Sequence, residues 1–239
     1  MGASGGVTRN TLRQQIAGAL RDEVLAGRLR PRVEFTVKQI AEQYGVSATP
    51  VREALFDLSA QGLLESDQHR GFRVREFSVA DYRSMVEARA LVIDGVFRRI
   101  FDGSGTASQV LGAHHAALVS VRRRAEEAAR AARSGDLDIL IGYDLRFWRE
   151  LGAVIGNAYL TDFLHRLRVQ AWVFSVPYLR GDADVRDWLW SGHQELVEAI
   201  MAADGDAVRA VLDGYYAHGS DWADRLAAGD PPHPGHGGG

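Results

Sequence analysis

The stretch YGVSATPVREAL at 44–55 constrains the fold more than any other part of the chain. Just upstream, TVKQ at 36–39 carries a capping-box signature, a hydroxyl at the N-cap and a glutamine three residues on, so a short helix starts there. Gly45 suits the left-handed C-cap that ends it. A second helix then begins within four residues. Ser47 and Thr49 are its candidate N-caps, and Pro50 falls in its first turn, where a missing N–H costs nothing. Val51, Ala54, Leu55, Leu58 and Leu63 make its apolar stripe, and Gly62 ends it. Two helices joined this tightly predict a helix–turn–helix, whose second helix leaves its outer face free to enter a DNA major groove.

Two short extended pieces follow at 63–66 and 72–75, joined by DQHRG, and they read as a β-hairpin that forms a wing. The exposed side of the helical pair carries Lys38, Thr49 and Arg52, with Ser47 at the entry to the second helix. The wing tip carries His69, Arg70 and Gly71. Lys and Arg suit phosphates and guanine edges, and a glycine lets backbone approach a duplex closely. These seven residues are the candidate DNA-binding set.

A preceding helix is expected near 11–26, with Ile16, Leu20, Val24 and Leu25 on one face and Gly27 at its end. Residues 1–8 are Gly-rich and read as mobile. From Ser78 onward the pattern is helical, with helices near 79–101, 107–133, 137–156, 159–175, 184–203 and 206–227. GSGTAS at 103–108 joins two helices instead of following a strand, so it reads as a plain loop and not a phosphate cradle. The tail PPHPGHGGG has no periodicity and reads as disordered. The expected fold is therefore mainly α: a winged helix–turn–helix over 9–76, an all-α helical bundle ligand-binding domain over 78–227, and a disordered tail over 228–239.

Charge is mildly asymmetric. Residues 1–76 hold 11 Lys+Arg against 9 Asp+Glu, and residues 77–239 hold 17 against 22, which permits a DNA-binding front half. The chain has no cysteine, which excludes disulfides and thiolate chemistry. No apolar run reaches bilayer-spanning length, and MGASGGVTRN lacks the apolar core of a secretory signal, so a cytoplasmic protein without membrane attachment is expected.

The helical part places polar groups on inward faces. Arg89 falls in the middle of the stripe formed by Tyr82, Met85, Val86, Ile93, Val96, Phe97 and Ile100, and a buried guanidinium needs an anionic partner. Asp144 lies in the stripe of Leu140, Phe147, Leu151 and Val154; His193 shares a face with Leu189, Leu196 and Ile200; Tyr215 sits with Val208, Val211, Leu212 and Trp222. Such groups are either separately satisfied, for example as an Arg89–Asp144 pair, or they converge on one pocket. Four together favour the pocket.

Residues 12–75 resemble the winged helix–turn–helix of the GntR family of bacterial transcription regulators, in its FadR-like branch. LAGRL at 25–29, QIAEQYGVS at 39–47, TPVREAL at 49–55, QGLL at 61–64 and HRGFRV at 69–74 carry the resemblance. It implies that Lys38 meets the DNA backbone, that Thr49 and Arg52 contact DNA from the recognition helix, and that His69, Arg70 and Gly71 reach the minor groove. Ala48 stands where the family usually has arginine, so one base-reading contact is missing, and an operator that departs from the family's usual sequence at that base pair is expected. Residues 78–227 resemble, more loosely, the all-helical effector-binding and dimerisation (FCD-type) domain of that branch, through VEARAL at 86–91, DLRFW at 144–148 and HQELVEAI at 193–200.

Many relatives hold a divalent metal there with one Asp and three His. In this chain Asp144 and His193 match, but Trp148 occupies the first His position and Tyr215 falls on the third, with His218 one turn further on. Metal binding at Asp144 and His193 is therefore disfavoured, and no cofactor is expected. The resemblance implies an organic effector in contact with Arg89, Asp144, Trp148, His193, Tyr215 and His218. An acidic effector is the leading expectation, its acid group pairing with Arg89 and His193 beneath Trp148 and Tyr215.

The function expected is a homodimeric, ligand-responsive regulator that reads an inverted repeat in double-stranded DNA and is released from repression by a small organic acid or related metabolite. Two other readings compete. One is an effector-independent architectural dimer whose cavity is filled by Trp148 and Tyr215. The other is an enzyme using Asp144, His193 and His218 as a metal or acid–base site, against which the chain shows no nucleophile motif.

Overall fold

The computed structural model describes residues 4–67, 70–101, 112–154 and 156–228. The tail at 229–239 and GSGTAS at 103–108 fall outside them. The chain divides into two units, Met1–Phe77 and Ser78–Gly239.

In the first unit, helix α1 (Ser4–Leu25) packs against α3 (Ala48–Ala60). Ile16, Leu20, Val24 and Leu25 supply one side of that contact, and Val51, Ala54, Leu55 and Leu58 are buried on α3. Helix α1 starts at Ser4, so Ser4 to Thr8 belong to a helix where a mobile segment was expected. Helix α2 (Val37–Tyr44) opens on the expected capping box: Gln39 N–H donates to Thr36 Oγ1 at 3.2 Å, and Thr36 N–H donates to Gln39 Oε1 at 2.8 Å. Gly45 closes the helix at φ +64°, the left-handed conformation that glycine adopts without a Cβ penalty. Ser47 is the N-cap of α3, although its side chain makes no capping bond. Helix α3 stops at Ala60, so Leu63 is buried just beyond the helix and not on its stripe.

The wing is a three-stranded antiparallel sheet in the order β1-β3-β2. Strands β2 (Leu64–Asp67) and β3 (Gly71–Val74) form the expected hairpin, with Ser66 opposite Phe72. The third strand, β1 (Glu34–Phe35), pairs Phe35 with Phe72 and immediately precedes the cap of α2. Two residues are too few for a period-2 signal, which is why sequence patterning does not reveal it.

The second unit contains α4 (Val79–Phe101), α5 (His115–Ser134), α6 (Leu137–Val154), α7 (Ala158–Leu179), a 3-10 turn (Val185–Trp188), α8 (His193–Met201) and α9 (Gly205–Ala227). Helix α5 packs on α6 and α8, α4 packs on α9 and α7, and α6 packs on α7. Small residues on α5, Ala125, Ala128, Ala129 and Ala132, are fully buried and let its neighbours approach closely. Phe97, Leu118, Val121, Phe147, Leu196, Val197 and Leu212 belong to one apolar core.

Three helices differ from the periodicity. The one expected over 107–133 is interrupted at His114, the N-cap of α5, within the residues described. Helix α7 continues through Pro177 to Leu179, because Val173, Phe174, Val176 and Leu179 are all buried and tertiary packing outweighs one lost N–H near the helix end. The helix expected over 184–203 is instead a 3-10 turn, a break at Leu189–Gly192, and α8. That break carries Trp190 over the ring of His193, 4.5 Å between centroids.

Candidate functional site

The first unit presents the candidate DNA face. Ser47, Ala48, Thr49 and Arg52 are all exposed at the start of α3. With Lys38 and Glu42 of α2, Ala48 and Arg52 line a shallow concavity between the two helices. Lys38 lies 3.8 Å from Glu42, an exposed pair one helical turn apart that screens little of its charge. Among the described residues no carboxylate lies in ion-pair range of Arg52, so its guanidinium is available to a phosphate or a guanine edge. At the wing, the Arg70 side chain lies 3.6 Å from Glu34, and its backbone N–H donates to Asp67 Oδ1 at 3.1 Å. Gly71 sits at φ +99°, and a Cβ there would fall 2.5 Å from the carbonyl oxygen of Phe35. The glycine is thus required by the close passage of β1 as well as by its backbone angle. His69 lies outside the described residues.

The second unit gathers its candidate residues at a cavity of about 80 Å³. Arg89, Asp144, His193, Tyr215 and His218 line it, and Trp148 packs against Tyr215 with ring centroids 5.2 Å apart. The Arg89–Asp144 pair does not form. Arg89 Nη1 donates to Tyr215 Oη at 2.9 Å, and its Nε donates to the Met85 carbonyl at 3.3 Å. Asp144 instead accepts three N–H groups. Trp148 Nε1 and His193 Nε2 both donate to Oδ1 at 2.9 Å, and Trp172 Nε1 donates to Oδ2 at 2.7 Å. Burial works against this carboxylate, but the His193 bond, the Arg168 charge and the Trp172 bond outweigh it and hold its pKa below the ordinary carboxylate value. With its Nε2–H donated to Asp144, His193 keeps Nδ1 buried and without a partner. His218 Nε2–H donates to the Trp188 carbonyl at 3.0 Å.

The residue that sequence reasoning missed is Arg168. Its side chain is buried at 2% exposure, and its Nε and Nη2 have no hydrogen-bond partner. The guanidinium lies over the Trp148 ring at 3.9 Å and faces the Tyr215 ring at 5.8 Å. Burial and the nearby Arg89 charge push its pKa below the usual guanidinium value. The signal was present in the sequence: Leu164, Arg168, Ala171 and Ser175 recur at the spacing of one helix face, just as Arg89 sits in its own stripe.

The charge count around the cavity is unequal. Burial opposes the Arg89 charge, but Tyr215, Tyr82 and Asp144 outweigh it and hold its pKa above the ordinary value. Burial pushes the Tyr82 phenol up to about 12 and raises Tyr216 as well, so neither supplies negative charge near neutral pH. Two buried guanidinium groups therefore face one buried carboxylate, and both of that carboxylate's oxygens are already taken.

The donor set does not fit a divalent metal. Asp144 is saturated by three N–H groups, the Nε2 of His193 is spent on Asp144, Trp148 supplies a donor and no lone pair, and Tyr215 accepts from Arg89. Among the described residues, no three His, Cys, Asp or Glu side chains gather as a metal site would require. Also among the described residues, no helix is long and apolar enough to cross a membrane.

Residues 12–74 match the model of the bacterial regulatory proteins of the gntR family, and residues 106–218 match the FCD domain. The chain belongs to the GntR family. This GntR chain is 28% identical over 211 residues to a protein of Paenarthrobacter nicotinovorans named for D-xylose utilization operon transcriptional repression, covering 88% of each chain. It is 25% identical over 200 residues to the HTH-type transcriptional repressor RspR of Escherichia coli, covering 83% of each. Among solved structures, E. coli McbR/YncC aligns with a TM-score of 0.66 at 21% identity, covering 90% of this chain and 98% of that one. A GntR regulator from Rhodococcus sp. RHA1 aligns at 0.65 and 20% identity, covering 91% and 98%. At these identities the structural likeness establishes the fold: a GntR winged helix–turn–helix joined to an all-helical FCD domain, consistent with the FadR-like branch.

Proposed function

We propose that this GntR-family protein is a ligand-responsive transcription regulator that binds double-stranded DNA as a homodimer at an inverted repeat, and that a small organic acid releases it from its operator. The DNA-binding set is Lys38, Ser47, Thr49, Arg52, His69, Arg70 and Gly71. The acid enters the cavity of the helical unit, where Arg168 and Arg89 meet its carboxylate. The carrying observation is the unmatched buried charge: two guanidinium groups, one of them without hydrogen bonds at Nε and Nη2, against a single carboxylate already bonded three times. An unpaired buried charge is costly, and an anion relieves that cost.

Asp144 acts as an orienting group that fixes Trp148, Trp172 and His193 around the cavity and coordinates no metal. His193 pairs with Asp144 and so does not meet the acid through Nε2; its Nδ1 is left to a polar group on the effector. The protein's role is regulation and not turnover. An effector-independent dimer would need Trp148 and Tyr215 to fill the cavity, yet about 80 Å³ remains beside Tyr215.

The ligand shifts DNA affinity only through its differential affinity for the two arrangements of the dimer. The test is a screen of carboxylic acids by thermal unfolding, paired with DNA binding to the protein's own promoter region. An acid that binds raises the unfolding midpoint and weakens DNA binding in the same concentration range. If no acid among mono- and dicarboxylates does either, the acid-effector reading falls. Addition of Zn²⁺ or Mn²⁺, or of a chelator, is expected to leave the midpoint unchanged.

A further inference from the structure

A second cavity, of about 90 Å³, lies on the other side of the Trp148–Arg168 stack. Its wall is mostly apolar: Phe97 and Ile93 of α4, Leu151 of α6, Leu164 of α7, and Ile200 and Leu212 further along the chain all line it, with Thr161, His165 and Arg168 as its polar members. Arg168 lines both this cavity and the polar one and stands at their boundary. A guanidinium with Nε and Nη2 unbonded thus stands at the mouth of an apolar hole.

An apolar cavity stays dry when nothing in it binds water, and it takes an apolar guest. A guanidinium at its end selects a guest that carries an anionic head. The size narrows the class further. The space is smaller than the roughly 150 Å³ of a cavity known to hold benzene, so a short alkyl chain suits it better than an aromatic ring.

We infer that the effector is a short-chain aliphatic monocarboxylate, its carboxylate held by Arg168 at the boundary and its alkyl chain seated in the apolar cavity between α4, α6 and α7. This rests on the acid-effector reading above and names the chemical class it takes.

The test uses the full-length protein and calorimetric titration with acetate, glycolate, butanoate, hexanoate, phenylacetate and 1-butanol. Affinity is expected to rise from acetate to butanoate by about fourfold per buried methylene. Glycolate is expected to bind no better than acetate, phenylacetate to bind less well than butanoate, and butanol not to bind. Filling the cavity by Ile93→Trp is expected to flatten the chain-length series while acetate binding persists. Ile100→Phe, at a second point on the wall, provides the same readout if the first variant does not fold. If acetate and glycolate bind as well as butanoate and hexanoate, or if the chain-length gain survives both filling variants, the aliphatic inference is overturned while the acid pocket stands. If neither short nor long acids bind, the acid-effector reading and this inference fall together.

Discussion

Trp148 donates its indole N–H to Asp144 across 2.9 Å, from one turn further along the same helix. Sequence resemblance places a metal-binding imidazole at that position in many relatives. Here the carboxylate is a hub for three N–H donors, one of them from this aromatic residue, and the Trp148 ring face receives the Arg168 guanidinium at 3.9 Å. An arginine from a different helix thus brings a positive charge close to this carboxylate while stacking on the indole that is bonded to it.

Asp144→Asn keeps one acceptor oxygen but turns an amide N–H toward an indole or imidazole donor. It is expected to destabilise the protein by about 1–3 kcal/mol in urea unfolding at neutral pH. The sign of the pH dependence follows from the depressed carboxyl pKa. The contribution of the ionised group is complete above the ordinary value of 3.8 and is lost as pH falls through the lower folded value. The gap between wild type and variant should therefore be constant near neutrality and narrow only below about pH 3.8; a gap that closes between pH 5 and 7 contradicts this.

Arg168→Met removes an unpaired buried charge while keeping much of the side-chain volume. The free protein is expected to gain about 1 kcal/mol of stability, since an apolar replacement of a buried ion is commonly neutral or stabilising. The same variant should lose its thermal response to carboxylic acids. A large loss of stability would mean that the stack on Trp148 is what holds the helices together.

Arg52→Ala acts on an exposed side chain, so unfolding should change by no more than about 0.5 kcal/mol. Binding to the protein's promoter DNA should weaken, and the slope of log affinity against log salt should fall by about 1 if the contact is to a phosphate. Unchanged affinity in a titration at moderate ionic strength would remove α3 from the interface.

Gly71→Ala places a Cβ where the Phe35 carbonyl already stands, at a backbone angle that alanine disfavours. The expected cost is about 1–3 kcal/mol. It should appear in amide exchange as faster opening of β1 and β3, ahead of any change in the helical unit.

Much of this fold was legible in the sequence because its signals are local. The capping box at Thr36–Gln39, the left-handed Gly45 and the α4 bounds of Val79–Phe101 all depend on residues within a few positions of one another. Long-range features were less visible. Strand β1 exists only because Phe72 is there to pair with it, and α7 passes Pro177 only because its flank is buried. At the candidate pocket, periodicity places Arg89, Asp144 and His193 inward, and they are 4%, 5% and 1% exposed. It cannot assign partners. Which donors reach Asp144 depends on the angle between α6, α7 and α8, and no spacing within one helix encodes that angle.

Phe35 ends β1, and the next residue, Thr36, caps α2. On its other side Phe35 lies against Gly71 at the base of the wing tip. There is no slack between flap and reading head: a tug on the hairpin is transmitted to the first turn of α2 through one residue. A load on the hairpin therefore cannot be absorbed by swinging it aside, because the whole head must tilt, and if the wing and α3 both meet DNA, a misfit at one is felt at the other.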